Sequence, residues 1–105
     1  MSESDRPRIV CLCGSGRFAD TYRPMDYFHR AAIAETLAGR IVIGPNFGSR
    51  SLDRSKVDEL HLRRIDLADE ILVLNVGGYI GESTRSEIQY AVARGKAVRY
   101  LEDST

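Results

Sequence analysis

The chain has no net charge, no long apolar run and only two cysteines. Fifteen Lys and Arg residues balance fifteen Asp and Glu residues, which argues against the broad charged surface of a nucleic-acid or membrane binder. No stretch approaches the roughly 20 apolar residues of a membrane span, and the polar start MSESDRPR precedes no signal-peptide core. We therefore expect a cytoplasmic protein that binds a small molecule or a protein partner.

The two cysteines, Cys11 and Cys13, lie one residue apart in the apolar segment IVCLCG. On a strand they share a face but cannot readily form a disulfide with each other. No His or Cys stands near them at the usual ligand spacing, so the pair is a poor zinc site. We expect ordinary buried thiols, no metal and no cofactor.

Apolar strands and helical stripes alternate along the chain. Strands are predicted at 8–13, 40–44, 70–76 and 97–102, and helices at about 24–37, 53–68 and 85–94. This alternation predicts an α/β fold, a small doubly wound parallel sheet of Rossmann-like or flavodoxin-like type with helices on both faces. We expect one domain over 1–105, with the ligand beyond the carboxyl ends of the strands. The inward stripe of the first helix is predicted to be Met25, Phe28, Ala32, Ile33 and Leu37.

The first glycine-rich loop, GSGRFAD (14–20), follows the first strand. Gly14, Gly16 and Ala19 spell the dinucleotide pattern GxGxxA, but the helix starts late and no acidic residue ends the second strand, which disfavours an NAD site. The hydroxyl of Ser15 and the guanidinium of Arg17 suit a phosphate. A plain strand-ending turn with an exposed arginine is the alternative.

The second loop, GGYIGEST (77–84), joins the most apolar strand to a helix. Glu82 stands where a Walker motif needs lysine, so nucleoside triphosphate hydrolysis is disfavoured. The hydroxyls of Ser83 and Thr84 at a helix N-terminus predict an anion site. Glu87 has two interpretations: a capping box with Thr84 as N-cap, or a carboxylate beside a bound sugar.

Segment 66–98 resembles the C-terminal half of the nucleoside 2-deoxyribosyltransferase-like superfamily, which includes 2′-deoxynucleoside 5′-monophosphate N-glycosidases and CMP N-glycosidases. The matching positions are Ala68-Asp69, the strand EILVLNV, Gly81, Glu87-Ile88, Ala91 and Gly95-Lys96. CGSGR also resembles the phosphate-contacting turn of the nucleotide hydrolases, at Gly14, Ser15 and Arg17.

The resemblance implies that Glu87 is the nucleophile at the sugar C1′, that Ser83 and Thr84 bind phosphate or sugar, and that Tyr79 stacks on the base. Gly14, Ser15, Gly16, Arg17 and Gly81 complete the implied binding site. His61 stands where the family has an aspartate. It is either a proton donor to the leaving base, titrating near pH 6–7, or a hydrogen-bonded histidine at the margin of the core.

The expected function is hydrolysis or transfer at the N-glycosidic bond of a nucleoside or nucleoside 5′-monophosphate. The alternative is a nucleotide-binding module of the same fold without chemistry. A phosphoribohydrolase of the cytokinin-activating type is a third and weaker hypothesis, since GGYIGESTRSE matches that signature only loosely. We expect a homo-oligomer, because small domains often bury their helices against a copy of themselves.

Overall fold

The computed structural model describes residues 6–18, 26–44 and 53–102. Within these ranges the strands are β1 (Ile9–Gly14), β2 (Ile41–Ile43), β3 (Glu70–Leu74) and β4 (Ala97–Tyr100). The helices are α1 (Tyr27–Leu37), α2 (Arg54–Leu67) and α3 (Glu82–Ala93). None of the described helices is both long and apolar enough to cross a membrane.

The strands form one sheet in the order β2-β1-β3-β4. Every pairing is parallel, and Gly14 at the end of β1 lies opposite Leu74 at the end of β3. The chain passes from β1 to one edge and then returns to build the other side, so the order reverses between β1 and β3. The predicted doubly wound parallel sheet is confirmed.

Two apolar cores lie on opposite faces of this sheet. On one face Val10, Leu12, Leu72 and Leu74 pack with Phe28 and Ala31 of α1. On the other, Cys11, Cys13, Ile71 and Val73 pack with residues of α2 and α3. Because both faces are covered, β3 is buried at all five positions, which explains its continuous apolar sequence.

Helix α2 forms as the sequence predicts. The Asp53 carboxylate accepts a hydrogen bond from the Ser55 backbone N–H at 3.0 Å, which caps the N-terminus. The helix ends at its C-cap, Ala68. His61 and Ile65, four residues apart, are buried against the sheet. The predicted inward position of His61 is confirmed.

The predicted inward stripe of α1 is partly wrong. Ile33 and Leu37 are 44% and 84% exposed, whereas Phe28, Ala31 and Glu35 are buried. The helix is rotated toward a stripe that includes a carboxylate, because Arg99 and Arg40 neutralise Glu35. The predicted first residues of this helix, 24–25, lie outside the described part of the chain.

Charged side chains form a cluster near the amino ends of the strands. Glu70 opens β3 and is only 6% exposed. It accepts a 2.8 Å hydrogen bond from Arg99 and a 3.2 Å bond from Arg8, while Arg40 lies 3.7 Å away. These ion pairs offset the cost of burying the carboxylate. The opposite, carboxyl-terminal end of the sheet carries the two polar loops.

Candidate functional site

The candidate site lies at the carboxyl ends of β1 and β3, where the strand order reverses. Each strand ends in a short 3-10 turn, at 16–18 after β1 and at 76–78 after β3. Crevices at such a reversal are where open α/β sheets bind ligands. The fold therefore brings together the two loops that the sequence singles out.

The first loop is organised by Ser15. Its carbonyl accepts a 3.0 Å hydrogen bond from the Phe18 N–H, and its hydroxyl oxygen accepts a 3.2 Å bond from the Arg17 N–H. The Ser15 hydroxyl can still donate its own proton to a ligand. Gly14 has a packing role, because a Cβ there would lie 3.0 Å from Leu74 Cβ. Gly16 is exposed within the turn.

Arg17 and Tyr79 connect the two loops. The Arg17 guanidinium carbon lies 3.6 Å from the centroid of the Tyr79 ring, a cation–π contact. The Phe18 ring meets the same tyrosine edge-on, with centroids 6.1 Å apart. One face of the Tyr79 ring thus contacts the guanidinium.

The predicted start of α3 is wrong. The helix begins at Glu82 with Gly81 as N-cap, and no side chain caps it. Thr84 is therefore inside the first turn, 2% exposed, and the proposed capping box between Thr84 and Glu87 does not form. The first N–H groups of a helix have no partner within the helix, so an anion site here stays a prediction. Ser83 is exposed beside them.

Gly81 lies where the α3 N-terminus approaches the first loop. A Cβ at Gly81 would lie 3.9 Å from Ser15 Cβ and 3.5 Å from the Tyr79 hydroxyl. The helix N-terminus, Ser15 and the Tyr79–Arg17 pair therefore border one region. A phosphate there would meet backbone N–H groups, a hydroxyl and a cation.

Glu87 turns toward the sheet and meets His61 and Cys13. Its Oε1 lies 3.5 Å from His61 Nε2, and its side chain is 20% exposed. The same imidazole nitrogen lies 3.5 Å from Cys13 Sγ in a buried contact. The thiol of Cys13 is also hydrogen-bonded to Glu87. Strand β1 and two helices thus build one polar cluster inside an apolar core.

Burial changes the ionisation of this cluster. Burial, reinforced by the negative charge of Asp58, raises the pKa of Glu87 to about 7, although the Cys13 hydrogen bond opposes the shift. Burial and then the positive charge of Arg64 lower the pKa of His61 to about 4. The contact between His61 and Glu87 is therefore not a permanent ion pair at neutral pH. It joins a neutral imidazole to a carboxyl close to half ionisation.

These pKa values correct the sequence-based expectation for His61. An imidazole whose pKa is about 4 does not titrate near pH 6–7, and few molecules carry the imidazolium form at neutral pH. Glu87 is the group of this pair that titrates near pH 7. Among the described residues, His61 Nδ1 and Glu87 Oε2 are buried without a hydrogen-bond partner. Unsatisfied buried polar atoms are rare in folded proteins and often mark functional sites.

Two residues that act on this cluster were not linked to it from the sequence. Asp58 is exposed on α2, and its negative charge acts on both His61 and Glu87. Its spacing of three residues from His61 on α2 was the available signal. Cys13 was interpreted as an ordinary core thiol. Only the fold shows that His61 of α2 lies beside the two thiols. One of its ring nitrogens and the sulfurs of Cys11 and Cys13 lie within 4.8 Å of one another.

Comparison with solved structures identifies a similar fold. A 2-deoxyribosyltransferase from Leishmania mexicana superposes with a TM-score of 0.62 at 16% sequence identity, over 90% of this chain. The match covers 63% of the length of that enzyme. No protein-family model and no curated protein sequence matches the chain. At this identity the likeness shows a shared fold alone.

Proposed function

We propose that this protein cleaves, or transfers across, the N-glycosidic bond of a nucleoside 5′-monophosphate, with Glu87 as the nucleophile. The position of Glu87 carries the proposal. Its carboxyl group is at the reversal of strand order, just over one turn inside α3, and Oε2 has no hydrogen-bond partner in the described part of the chain. The likeness in fold to a 2-deoxyribosyltransferase supports the same class of reaction.

The chemistry follows from a buried carboxylate beside a sugar. Ionised Glu87 attacks the C1′ carbon, the bond from C1′ to the base breaks, and the bonding electrons leave with the base. The resulting glycosyl ester is then opened by water, which gives hydrolysis, or by a second base, which gives transfer. The departing base needs a proton, and we assign its delivery to solvent, because His61 is neutral at physiological pH.

His61 is a positioning residue in this scheme. Its Nε2 lies 3.5 Å from Glu87 Oε1, and in the tautomer that carries the proton on Nε2 it would support the ionised carboxylate. In this scheme His61 supports the nucleophile Glu87, whereas the sequence had suggested that it donates a proton to the leaving base. Cys13 assists from the strand side through its own hydrogen bond to Glu87.

The phosphate would bind between the two loops. Arg17 supplies the cation, the Ser15 hydroxyl supplies a donor, and the first turn of α3, from Gly81 to Thr84, supplies backbone N–H groups. The cation–π contact with Tyr79 holds the Arg17 guanidinium toward this region. Because both loops contribute, a phosphorylated nucleoside should be preferred to the free nucleoside.

A nucleotide-binding module without chemistry is the second candidate. It is favoured by the pKa of Glu87 near 7, which leaves a large part of the carboxyl protonated at neutral pH. A protonated carboxyl cannot attack C1′. The two candidates share the phosphate site and differ in whether base is released.

The test is incubation with a panel of nucleoside 5′-monophosphates, followed by chromatography for free base. The wild-type chain should release base, and Glu87→Gln should reduce the rate at least about 10²-fold, since it removes the nucleophile. Glu59→Gln, an exposed change on α2 whose carboxylate pairs with Arg63, is the control and should keep the wild-type rate. Full activity in Glu87→Gln would refute the role of Glu87. Binding without base release by the wild type would favour the module.

A further inference from the structure

We propose that Cys11, Cys13, His61 and Glu87 form a binding site for one zinc ion. The first three residues bring one ring nitrogen and two sulfurs within 4.8 Å of one another. Glu87 adds a carboxylate oxygen on the side that reaches solvent. The proposal does not depend on the glycosidic chemistry, because it concerns the metal alone.

The distances match a tetrahedron around zinc. With Zn–S bonds of about 2.3 Å and Zn–N or Zn–O bonds of about 2.0–2.2 Å, neighbouring ligand atoms lie about 3.3–3.8 Å apart. The distance from Cys13 Sγ to His61 Nε2 is 3.5 Å, and that from His61 Nε2 to Glu87 Oε1 is also 3.5 Å. The donor atoms of Cys11, Cys13 and His61 all lie within 4.8 Å of one another, so side-chain movement can bring these three to a common centre.

The ligands are held by three rigid elements. Residues two apart on a strand point to the same face, so β1 supplies both thiols to the core beneath α2 and α3. Cys11 Sγ makes a weak 3.8 Å hydrogen bond to the Leu12 carbonyl, which a metal bond would replace. His61 arrives from α2 and Glu87 from α3. Three separate elements thus bring two thiols, an imidazole and a carboxylate together.

The donor types select zinc over hard cations. Thiolate and imidazole ligands suit zinc, whereas magnesium and calcium require oxygen ligands. On binding, each thiol loses its proton to solvent, and the two thiolate charges balance the ion. The carboxylate leaves one net negative charge, and the positive charge of Arg64 acts on this cluster through His61.

The test uses the full chain, reduced and freed of metal with a chelator, then titrated with cobalt and zinc salts. Cobalt should produce a thiolate-to-metal charge-transfer band and the strong visible bands of tetrahedral coordination, saturating at one ion per chain. Zinc should displace the cobalt. Absence of a thiolate band from the wild-type spectrum would overturn the proposal without recourse to any variant.

Variants then identify the ligands in competition with a chromophoric chelator. Cys13→Ser and His61→Ala should each lower zinc affinity by more than about 100-fold. Loss of a residue that only hydrogen-bonds to a ligand already costs about 10–100-fold, and loss of a direct ligand should cost more. His29→Ala, which removes an exposed histidine of α1, should leave the affinity unchanged. Equal affinity in Cys13→Ser and the wild type would overturn the site. Glu87→Gln should keep the thiolate band and weaken binding about tenfold or more; unchanged affinity would exclude the carboxylate.

Discussion

Oε1 of Glu87, on α3, lies 3.5 Å from Nε2 of His61, on α2, so two helices on the same face of the sheet share one buried polar contact. Burial favours the neutral form of both groups, which raises the pKa of the acid to about 7 and lowers the pKa of the base to about 4. At neutral pH the pair therefore does not attract as two opposite charges. Its chemistry depends on the ionisation of Glu87.

The first prediction concerns stability as a function of pH. The folded-state pKa of Glu87 is about 7 against an ordinary value of 4.5, so the folded state holds this proton more tightly. The stabilisation is complete below pH 4.5 and is lost as the pH rises through 7. Glu87→Gln should therefore change the free energy of unfolding of the metal-free protein more favourably at pH 8 than at pH 4. The difference between the two effects should reach up to roughly 3 kcal/mol.

Urea unfolding of the chelator-treated wild type and Glu87→Gln at both pH values measures this difference. Glu82→Gln is the control, because Glu82 is exposed and should add little pH dependence. His61, whose pKa is lowered, has the opposite dependence: its stabilisation is present above pH 6.5 and is lost as the pH falls through 4. Both proteins keep His61, so its contribution largely cancels when the unfolding free energies of wild type and Glu87→Gln are subtracted. An equal effect of Glu87→Gln at both pH values would contradict the raised pKa.

The sequence predicted the fold because each strand is a short apolar run between glycine-rich or polar turns. The start of α3 was missed because Gly81 caps it through backbone conformation alone, while Thr84 and Glu87 fit a side-chain motif three residues apart. In α1, apolar spacing alone did not reveal that Glu35 is buried. Its partner Arg99 comes from β4, and a local pattern holds no information about that contact.

The sequence predicted candidate site residues singly but not their contacts. Ser15 and Arg17 were identified from their position after a strand, Glu87 from its place near the start of a helix, and Glu87 and His61 also from the family resemblance. The contact of Cys13 with His61 joins β1 to α2, and it requires the sheet order that puts β1 beneath that helix. The ionisation of His61 and Glu87 could not be predicted from the sequence either, because the pKa of a buried group depends on its three-dimensional surroundings.

The second prediction concerns the end of β1. In Gly14→Ala the new Cβ would lie 3.0 Å from Leu74 Cβ and 3.2 Å from Phe28 Cζ, both in the core on the α1 face. Overpacking of this kind should destabilise the protein by about 1–3 kcal/mol in urea unfolding. Gly44→Ala is the control, since its Cβ would meet Leu12 at an ordinary 3.9 Å. Equal stability of the two variants would show that the end of β1 adjusts freely.

The third prediction concerns the phosphate. Arg17→Ala should weaken binding of a nucleoside 5′-monophosphate by roughly 1.5–3 kcal/mol, the range for hydrogen bonds to charged groups, and barely affect the free nucleoside. Tyr79→Ala should weaken the same binding by about 0.5–1 kcal/mol, because it removes the exposed cation–π contact that orients Arg17. Calorimetry with both ligands measures these changes, and Arg30→Ala on α1 is the control. Equal losses for the two ligands would argue against a phosphate role.

The fourth prediction is the pH dependence of base release. The carboxylate form of Glu87 is the nucleophile, so the initial rate of the metal-free enzyme should rise about tenfold per pH unit below its pKa of about 7 and level off above it. Initial rates from pH 5 to 9, with folding checked by circular dichroism at each pH, provide the measurement. A rate that instead falls as the pH rises through 7 would mean that Glu87 acts in its protonated form.

The last prediction joins the metal site to the reaction. A zinc ion bound to Glu87 withdraws the electron pair that would attack C1′, so zinc at concentrations that saturate the spectroscopic site should abolish base release. A chelator should restore the rate, and magnesium should have no effect, because thiolate ligands do not suit it.

The two proposals fail separately in this experiment. If the wild type releases no base, zinc binding can still be measured by its cobalt spectrum. If base release persists while zinc fills the site, Glu87 is either not a ligand or not the nucleophile, and the metal affinity of Glu87→Gln decides between these two outcomes.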